Sequence, residues 1–339
     1  MTRLVDLFPI ILIAAVTAVF TAPVVIRVAK SMNLVDIPKS EPHKTHTKPT
    51  PMAGGFLITL AVAAAYLITR PEVDNEILGI LFGSIVIATV GIVDDLRKIS
   101  PVGKLLAQIL AASVVIYFGV QVKMTRIPWL DLFVTYLWIV GITNAFNFVD
   151  SHDGLALGLA GISSSFFMLV TLDTEQTALA ALSAALVGAA LGGFLFNARP
   201  AKMFLGDSGA QLLGFVLAGI GVAYTPAKAG LPQAISWFVP ILVLGLPVFD
   251  MILVVYARLR NKNNIFQGGQ DHTYHRLVSF GLDPMRAVLA MQLASVLLGL
   301  TAFILLETTV LLANTAFGLI VLAGLFVSLF LVRQDINLN

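Results

Sequence analysis

The feature that most constrains this chain is a series of long apolar segments separated by short polar connections. A window of about nineteen residues identifies eleven of them. They lie at residues 7–29, 53–69, 77–93, 103–119, 130–147, 154–172, 177–196, 209–224, 234–257, 285–305 and 309–332. Only a helix or a closed barrel satisfies its own backbone groups in hydrocarbon. The segments therefore predict an all-α polytopic membrane protein with about eleven transmembrane helices, or ten if Glu307 does not separate the last two. Pro240 and Pro247 predict a bent or split ninth helix.

Composition agrees with this class. Apolar residues make up 58% of the 339 residues and charged residues 12%, and the mean hydropathy is +0.92. A soluble domain carries about twice that charged fraction. The net charge of +2 predicts no nucleic-acid partner, and the lack of cysteine excludes disulfides, thiolate metal sites and cysteine nucleophiles. The first segment has no cleavage pattern, so we expect it to be a retained span.

Most of the 21 Lys and Arg residues fall in alternate connections. The positive-inside rule places these connections in the cytoplasm and the N-terminus outside. The expected cytoplasmic loops are about 30–52, 94–103, 148–153, 197–208 and 258–284, within a single transmembrane domain that covers residues 1–339. Because these loops are the polar ones, a catalytic or binding face is expected on the cytoplasmic side.

Two adjacent aspartates, Asp94 and Asp95, close the third apolar segment. An ionised side chain at the bilayer centre costs several kcal/mol or more, so we expect the pair at a membrane edge and in a functional role. The basic residues that follow, Arg97, Lys98 and Lys104, place that edge on the cytoplasmic side.

The third cytoplasmic loop places Asn144, Asn147, Asp150 and Asp153 at intervals of three residues. Residues three apart share a helical face. Amide and carboxylate oxygens are hard ligands of the kind that Mg²⁺ prefers. The alternative is a set of helix caps, which explains Asp153 well and the asparagines poorly.

The fourth loop ends with Asp207 between Gly206 and Gly209 at a predicted helix start. Taken alone, Asp207 is equally well explained as a helix cap or a metal ligand. Phe204 beside it suggests a stacking platform next to a metal ligand.

The first and last cytoplasmic loops are basic. The first carries Lys39, His43, Lys44, His46 and Lys48 before the diglycine Gly54-Gly55. Free backbone amides at such a helix start can bind an anion, although a basic loop also follows from the positive-inside rule. The last loop carries His272, His275 and Arg276, which fit a phosphate better than a metal.

The motifs resemble, in type and order, those of one family. They are Asp94-Asp95 with Lys104 and Gln108, the Asn/Asp block at 144–158, Phe-x-Gly-Asp-x-Gly at 204–209 and the His/Arg segment at 272–276. This order is similar to that of the polyprenyl-phosphate N-acetylhexosamine-1-phosphate transferases, the glycosyltransferase 4 or MraY–WecA–TarO superfamily. The resemblance runs from Asp36 to Arg276.

The resemblance implies a Mg²⁺-dependent enzyme, with Mn²⁺ as a substitute, in the bacterial inner membrane. It would transfer N-acetylhexosamine 1-phosphate, with GlcNAc preferred, from a UDP-sugar to undecaprenyl phosphate and release UMP. This is the first membrane step of cell-surface glycan synthesis, such as that of lipopolysaccharide or teichoic acid. The implied partners are the UDP-N-acetylhexosamine, the polyprenyl phosphate, membrane lipids and a second copy of the chain in a homodimer.

The resemblance also implies roles for single residues. Asn147 and Asp207 would hold the metal, Asp94 would position or deprotonate the lipid phosphate, and Asp95 and Lys104 would order that site. Asp153 would lie near the nucleoside as part of the catalytic set. The implied substrate-binding residues are Phe204 (on uracil), Asn144, Asp150, Gly206, His46, Lys48, His272, His275 and Arg276.

The chain departs from the family pattern at Ser151, His152, Ala210 and Tyr274. None of these is an implied metal ligand, but together they leave the sugar open. The WecA and TarO branch is favoured, because eleven spans suit it better than ten, and a MraY-type phospho-MurNAc-pentapeptide translocase is the alternative. Direct attack by the lipid phosphate is favoured over a covalent aspartyl-phosphate.

A proton-coupled transporter is the alternative from another class. It would carry ionisable residues near the midplane of broken helices and, in many cases, inverted repeats. Here the ionisable residues of the motifs lie at predicted helix ends, and no internal repeat is visible. Both observations favour the transferase.

Overall fold

The computed structural model describes residues 3–38, 48–125, 127–225, 236–265 and 269–333, which contain thirteen helices and one short hairpin. The first eight helices are α1 (Leu4–Ser31), α2 (Gly54–Thr69), α3 (Asn75–Arg97), α4 (Pro101–Tyr117), α5 (Pro128–Val149), α6 (Leu155–Asp173), α7 (Thr177–Asn197) and α8 (Gly206–Ala223). The others are α9 (Val239–Val243), α10 (Gly245–Arg260), α11 (Thr273–Ser279), α12 (Pro284–Leu305) and α13 (Val310–Arg333). Strands β1 (Val35–Asp36) and β2 (Thr50–Pro51) pair antiparallel.

The helical segments confirm the predicted fold class. Each predicted apolar segment is helical over most of its described residues, and eight of the described helices are long and apolar enough to cross a membrane: α1, α3, α5, α6, α7, α8, α12 and α13. Helices α2 and α4 are shorter and apolar. The ninth segment is split at Leu244, as its prolines predict; Pro240 and Pro247 lie in the first turns of α9 and α10, where the missing N–H is tolerated. The number and direction of the spans stay predictions.

Helices α7 and α8 form the centre of the bundle and are the most deeply buried of the long apolar helices. Small residues allow their neighbours to approach closely, as is usual for packed membrane helices. A Cβ at Gly192 would lie 2.6 Å from Ala18 of α1, and one at Gly214 would lie 2.8 Å from the carbonyl oxygen of Ile142 in α5. Helix α8 is therefore held on several sides.

The polar segments named above gather at one end of this bundle. Consecutive long helices are joined by short connections, so the end of α3, the start of α4, the end of α5 and the start of α8 lie on the same side. Extended backbone joins two of these connections. The Phe204 amide donates to the carbonyl of Pro51 at 2.9 Å, and the Ala53 amide donates to the carbonyl of Phe204 at 3.1 Å.

Candidate active site

Asp95 binds the first turn of α8. Its carboxylate accepts hydrogen bonds from the backbone amides of Asp207 (2.8 Å) and Ser208 (3.2 Å). The first amides of a helix have no partner within the helix and carry the positive end of its dipole, so an anion is favoured there. Gly206 has a φ of +69°, and a Cβ at that position would lie 2.7 Å from an Asp95 oxygen. Asp95 and Gly206 thus fix where Asp207 sits.

Lys104 lies between two carboxylates. Its Nζ is 2.6 Å from Oδ2 of Asp94, and it also pairs with Asp207. Asp94 is only 6% exposed and accepts a further hydrogen bond of 2.6 Å from the amide of Ile99. Ser100 caps α4 through the amide of Gly103, which sets Lys104 early in that helix. The single ammonium lowers the repulsion between the two carboxylates and holds them together.

Asn147 and Asp150 supply free oxygen atoms beside this group. Asn147 is in the last turn of α5 and Asp150 follows it. Within the described ranges, neither side chain makes a hydrogen bond. Burial raises the pKa of the Asp150 carboxyl, and the negative charges of Asp207 and Asp95 raise it further. A cation nearby would stabilise the ionised form of this carboxyl group.

Asp207 and Asn147 offer oxygen atoms of the kind that a magnesium ion takes. Among the described residues, no three His, Asp or Glu side chains are placed to enclose a metal by themselves. Mg²⁺ typically takes one or two carboxylates, and substrate phosphates and water complete its octahedron. The carboxylate of Asp207 and the amide oxygen of Asn147 are ligands of that kind.

The loop between α7 and α8 carries Phe204 and is hydrogen-bonded to Asp153. Asp153 accepts a hydrogen bond of 3.1 Å from the amide of Ala201. Asn197 accepts one from the amide of Gly154 at 3.2 Å. The half-buried ring of Phe204 stands on backbone that is hydrogen-bonded to the β2 segment. The predicted nucleoside residues are therefore held on one framework.

Asn144 makes its hydrogen bonds within the protein. It lies one helical turn before Asn147. Its amide nitrogen donates to Gln108 at 2.7 Å and to the carbonyl of Val140 at 2.8 Å. One donor is engaged with α4 and the other within α5 itself, and the substrate-binding role of Asn144 stays a prediction. Asn144 connects α5 to α4.

His272 and Arg276 are also engaged within the protein. Nδ1 of His272 is 2.9 Å from Asp250, and the amide of Thr273 donates to the same carboxylate at 2.7 Å. The guanidinium of Arg276 bonds to the backbone carbonyl of Leu331. Both side chains are buried. Their arrangement anchors α11, and their contact with a phosphate stays a prediction.

A salt bridge continues this anchor towards α5. Arg258 binds Asp271 through two nitrogens, at 2.7 and 3.0 Å, and its guanidinium lies 5.6 Å from the ring centre of Phe148. Burial alone would raise the pKa of Asp271, but the hydrogen bonds and charge of Arg258 lower it. The segment before α11 is therefore bound to the end of α5.

Tyr274 and His275 contact His152 through their aromatic rings. The ring of His152 stacks on Tyr274, with centroids 3.2 Å apart, and meets the edge of His275 at 4.9 Å. Burial and the nearby charge of His275 lower the pKa of His152 to about 2, so its ring is neutral near pH 7. His152 and Tyr274, two departures from the family pattern, are thus in contact with each other.

The described end of the first loop, from residue 48 to the diglycine, contributes packing. His46 lies outside the described residues, and Lys48 is exposed. The amide of Gly54 donates to the carbonyl of Phe204, and a Cβ at Gly55 would lie 2.6 Å from Oγ of Ser208. The diglycine was predicted as an anion site. The amide of Gly54 is already hydrogen-bonded, and the lack of side chains at the two glycines lets α8 approach closely.

Sequence reasoning missed two residues, Asp250 and Gln211. Asp250 orients His272 from inside the ninth apolar segment. An aspartate within a span is costly and would have indicated a partner or a function. Gln211 is one turn after Asp207, on the same helical face, which was the available signal.

Comparisons with known proteins agree with the order of these motifs. The family model described as glycosyl transferase family 4 matches residues 77–225. A Bacillus subtilis (strain 168) protein named "Probable undecaprenyl-phosphate N-acetylglucosaminyl 1-phosphate transferase" is 30% identical over 91% of this chain and 87% of its own length. A Mycobacterium leprae decaprenyl-phosphate N-acetylglucosaminephosphotransferase is 31% identical over 83% of this chain and 79% of its own.

A third relative has a different name and a shorter match. A Limosilactobacillus fermentum phospho-N-acetylmuramoyl-pentapeptide-transferase is 35% identical over 51% of this chain and 60% of its own length. The likeness to the N-acetylglucosamine enzymes thus covers far more of the bundle. Since the matched region contains Asp94, Lys104, Asn147 and Asp207, and the match to the Bacillus subtilis relative covers 91% of the chain, this protein belongs to glycosyl transferase family 4.

Proposed function

We propose that this protein transfers N-acetylglucosamine 1-phosphate from UDP-N-acetylglucosamine to undecaprenyl phosphate, with release of UMP. The observation that carries the proposal is the group of Lys104, Asp94 and Asp207 at one end of the bundle, beside the free oxygens of Asn147 and Asp150. Two phosphorylated substrates that repel each other need cations and metal ligands at one place. The names of the relatives with the longest matches support the sugar and the lipid.

We propose that Asp207 and Asn147 hold Mg²⁺, with Mn²⁺ as a substitute. When bound, the ion neutralises charge on the pyrophosphate of the UDP-sugar. Lys104 pairs with Asp207 and would also bind phosphate through its positive charge. Asp95 keeps Asp207 in place through the first turn of α8.

The lipid phosphate is placed near Asp94 and Lys104. One of its oxygens attacks the β-phosphorus of the UDP-sugar, and the bond from that phosphorus to the bridging oxygen breaks as UMP leaves. A phosphate oxygen is ionised near neutral pH and needs little activation, which favours direct transfer over a covalent enzyme intermediate. Trapping of a phosphorylated Asp94 or Asp95 with UDP-sugar alone would contradict this route.

We propose a place in the bacterial inner membrane with the site facing the cytoplasm. The UDP-sugar is a soluble cytoplasmic nucleotide, and the polyprenyl phosphate presents its head group at the membrane surface. The predominance of Lys and Arg in the connections on the site's side supports this direction.

The purified protein in detergent tests the reaction. It would be incubated with undecaprenyl phosphate, Mg²⁺ and one of UDP-GlcNAc, UDP-GalNAc or UDP-MurNAc-pentapeptide, and UMP release would be measured. We expect release with UDP-GlcNAc. Release only with the pentapeptide substrate would assign the translocase activity, and no release with any donor would contradict the transferase. A transporter would release no UMP in detergent.

Substitution of the metal ligands tests the proposed site. We expect Asp207→Ala and Asn147→Ala to raise the Mg²⁺ concentration needed for half-maximal activity by about 10–100-fold, since lost ligands weaken binding. The matched control is Asn314→Ala, which removes an amide from α13, away from the site. Full activity of either ligand variant at low Mg²⁺ would refute the assignment.

A further inference from the structure

Three side-chain amides form a buried cluster, the amide layer, made of Gln108, Asn144 and Gln211. Nε2 of Gln108 donates to the oxygens of Gln211 (3.0 Å) and Asn144 (3.3 Å). Nδ2 of Asn144 donates back to the oxygen of Gln108 at 2.7 Å. Gln108 is 1% exposed and Gln211 is 4% exposed. Gln108 thus uses both N–H groups and its oxygen within the cluster.

The amide layer lies one helical turn from the proposed catalytic group on each of three helices. Gln108 follows Lys104 by four residues on α4, and Gln211 follows Asp207 by four on α8. Asn144 precedes Asn147 by three on α5. Residues three or four apart share a helical face. Lys104 and Asp207 pair directly, and because Asn144 meets Gln108, Asn147 lies on the face of α5 that is turned towards α4.

The hydrogen bonds of the amide layer depend on the register of the helices. A slide of one residue along a helix displaces a side chain by about 1.5 Å along the axis and rotates it away. In an apolar interior the separated amides would find no replacement partner. A single buried asparagine sets the register of a coiled coil in the same way.

We propose that the amide layer is a positioning device that sets the register of α4, α5 and α8 and so brings Lys104, Asn147 and Asp207 together. Gln108 is the central positioning residue. It touches no substrate and acts through the three residues one turn away. The expected loss of activity rests on the proposed function, whereas the register itself does not.

The kinetic test replaces Gln108 by leucine, which fits the apolar surroundings and removes all three hydrogen bonds. We expect Gln108→Leu to lower kcat by about 10–100-fold, the usual effect of losing a partner that orients a metal ligand. The KM for UDP-GlcNAc should change little, whereas the thermal midpoint in detergent should fall, because Asn144 and Gln211 lose a hydrogen-bond partner. A merely structural role would lower the midpoint and leave kcat per folded molecule unchanged.

A matched control uses another polar contact between the same two helices. Ser113 of α4 lies 2.8 Å from the hydroxyl of Tyr136 on α5, further from the site. Ser113→Ala should keep kcat within about twofold. The exchange variant Gln108→Asn/Asn144→Gln retains an amide pair and should recover part of the lost kcat. Equal losses in Ser113→Ala and Gln108→Leu would overturn the proposal.

A distance measurement tests the register without any substrate. The chain has no cysteine, so nitroxide labels can be attached to Val102→Cys and Lys202→Cys, near the starts of α4 and α8. Both native side chains are exposed. The distribution of spin–spin distances should be narrow in the parent and in Ser113→Ala, and broader or shifted in Gln108→Leu.

The two readouts separate failure of the inference from failure of the proposed function. An unchanged distance distribution in Gln108→Leu refutes the positioning role, whatever reaction the protein catalyses. A changed distribution in a protein that releases no UMP from UDP-GlcNAc supports the register and refutes the proposed reaction.

Discussion

At this site the side chain of His152 is neutral although charged side chains lie nearby, and its surroundings explain why. Its ring lies between Tyr274 and His275, where burial and neighbouring positive charge lower its pKa to about 2. Protonation would place a cation against other basic groups with little access to water. His152 therefore contributes an aromatic surface, whereas Lys104, between two carboxylates, contributes charge.

The pH dependence of stability tests this assignment. In the unfolded chain His152 has a pKa of about 6.5, so below that pH the unfolded state binds a proton that the folded state rejects. Stability contributed by this group is complete above about pH 6.5 and falls as the pH drops towards 2. Between pH 7.5 and 5.0 the free energy of unfolding should fall less in His152→Phe, which keeps the aromatic stack, than in the parent. The difference should be at most about 2 kcal/mol. Thermal unfolding followed by tryptophan fluorescence measures it, and equal losses would contradict the assignment.

At the scale of elements, the start of α8 organises the site. Asp95 of α3 binds its first amides, Gly55 of α2 leaves room for Ser208, and Gly91 of α3 lies directly against the Ser208 backbone. Bare glycine surfaces let α2 and α3 approach α8 closely enough for these hydrogen bonds. The position of Asp207 thus depends on packing as well as on its own turn.

A pair of glycine variants tests this packing. In Gly91→Ala the new methyl group would collide with the Cα of Ser208, so α3 and α8 must separate. We expect a destabilisation of about 1–3 kcal/mol, as for other overpacked sites, and loss of most activity. Gly141→Ala is the matched control, because nothing lies within 4 Å of its Cβ position in α5. Helix propensity makes the control neutral or more stable by up to about 1 kcal/mol. Similar behaviour of the two variants would refute the close approach.

At the scale of the whole molecule, direction in the membrane decides which substrates reach the site. The polar ends of α3, α4, α5 and α8 lie together, and alternation of the helices places the connection around Glu307 at the opposite end. The positive-inside rule assigns the first end to the cytoplasm.

Cysteine labelling tests the direction, since the chain has no cysteine of its own. Lys202 and Glu307 are both exposed and lie at opposite ends. With a membrane-impermeant maleimide, Glu307→Cys should react in spheroplasts, and Lys202→Cys should react only after the membrane is opened. The reverse pattern would place the site outside and contradict the use of a cytoplasmic nucleotide.

The sequence by itself determined the helices and the order of the motifs. Hydrocarbon leaves few choices to a long apolar segment, so each predicted segment is helical over most of its described residues and even the split near Pro240 and Pro247 is foreseen. The alternation of the spans also predicts that Asp94, Asp95 and Asp207 lie at the same end of the bundle.

Only the tertiary structure decided which polar side chains remain free. Asn144 and His272 look like substrate ligands in the sequence, but Gln108 and Asp250 engage them. Asn147 and Asp150 keep oxygens available within the described ranges. The reason is physical: a hydrogen-bond partner is chosen by the rotation and depth at which two helices meet, and these are set by the packing of segments far apart in the chain.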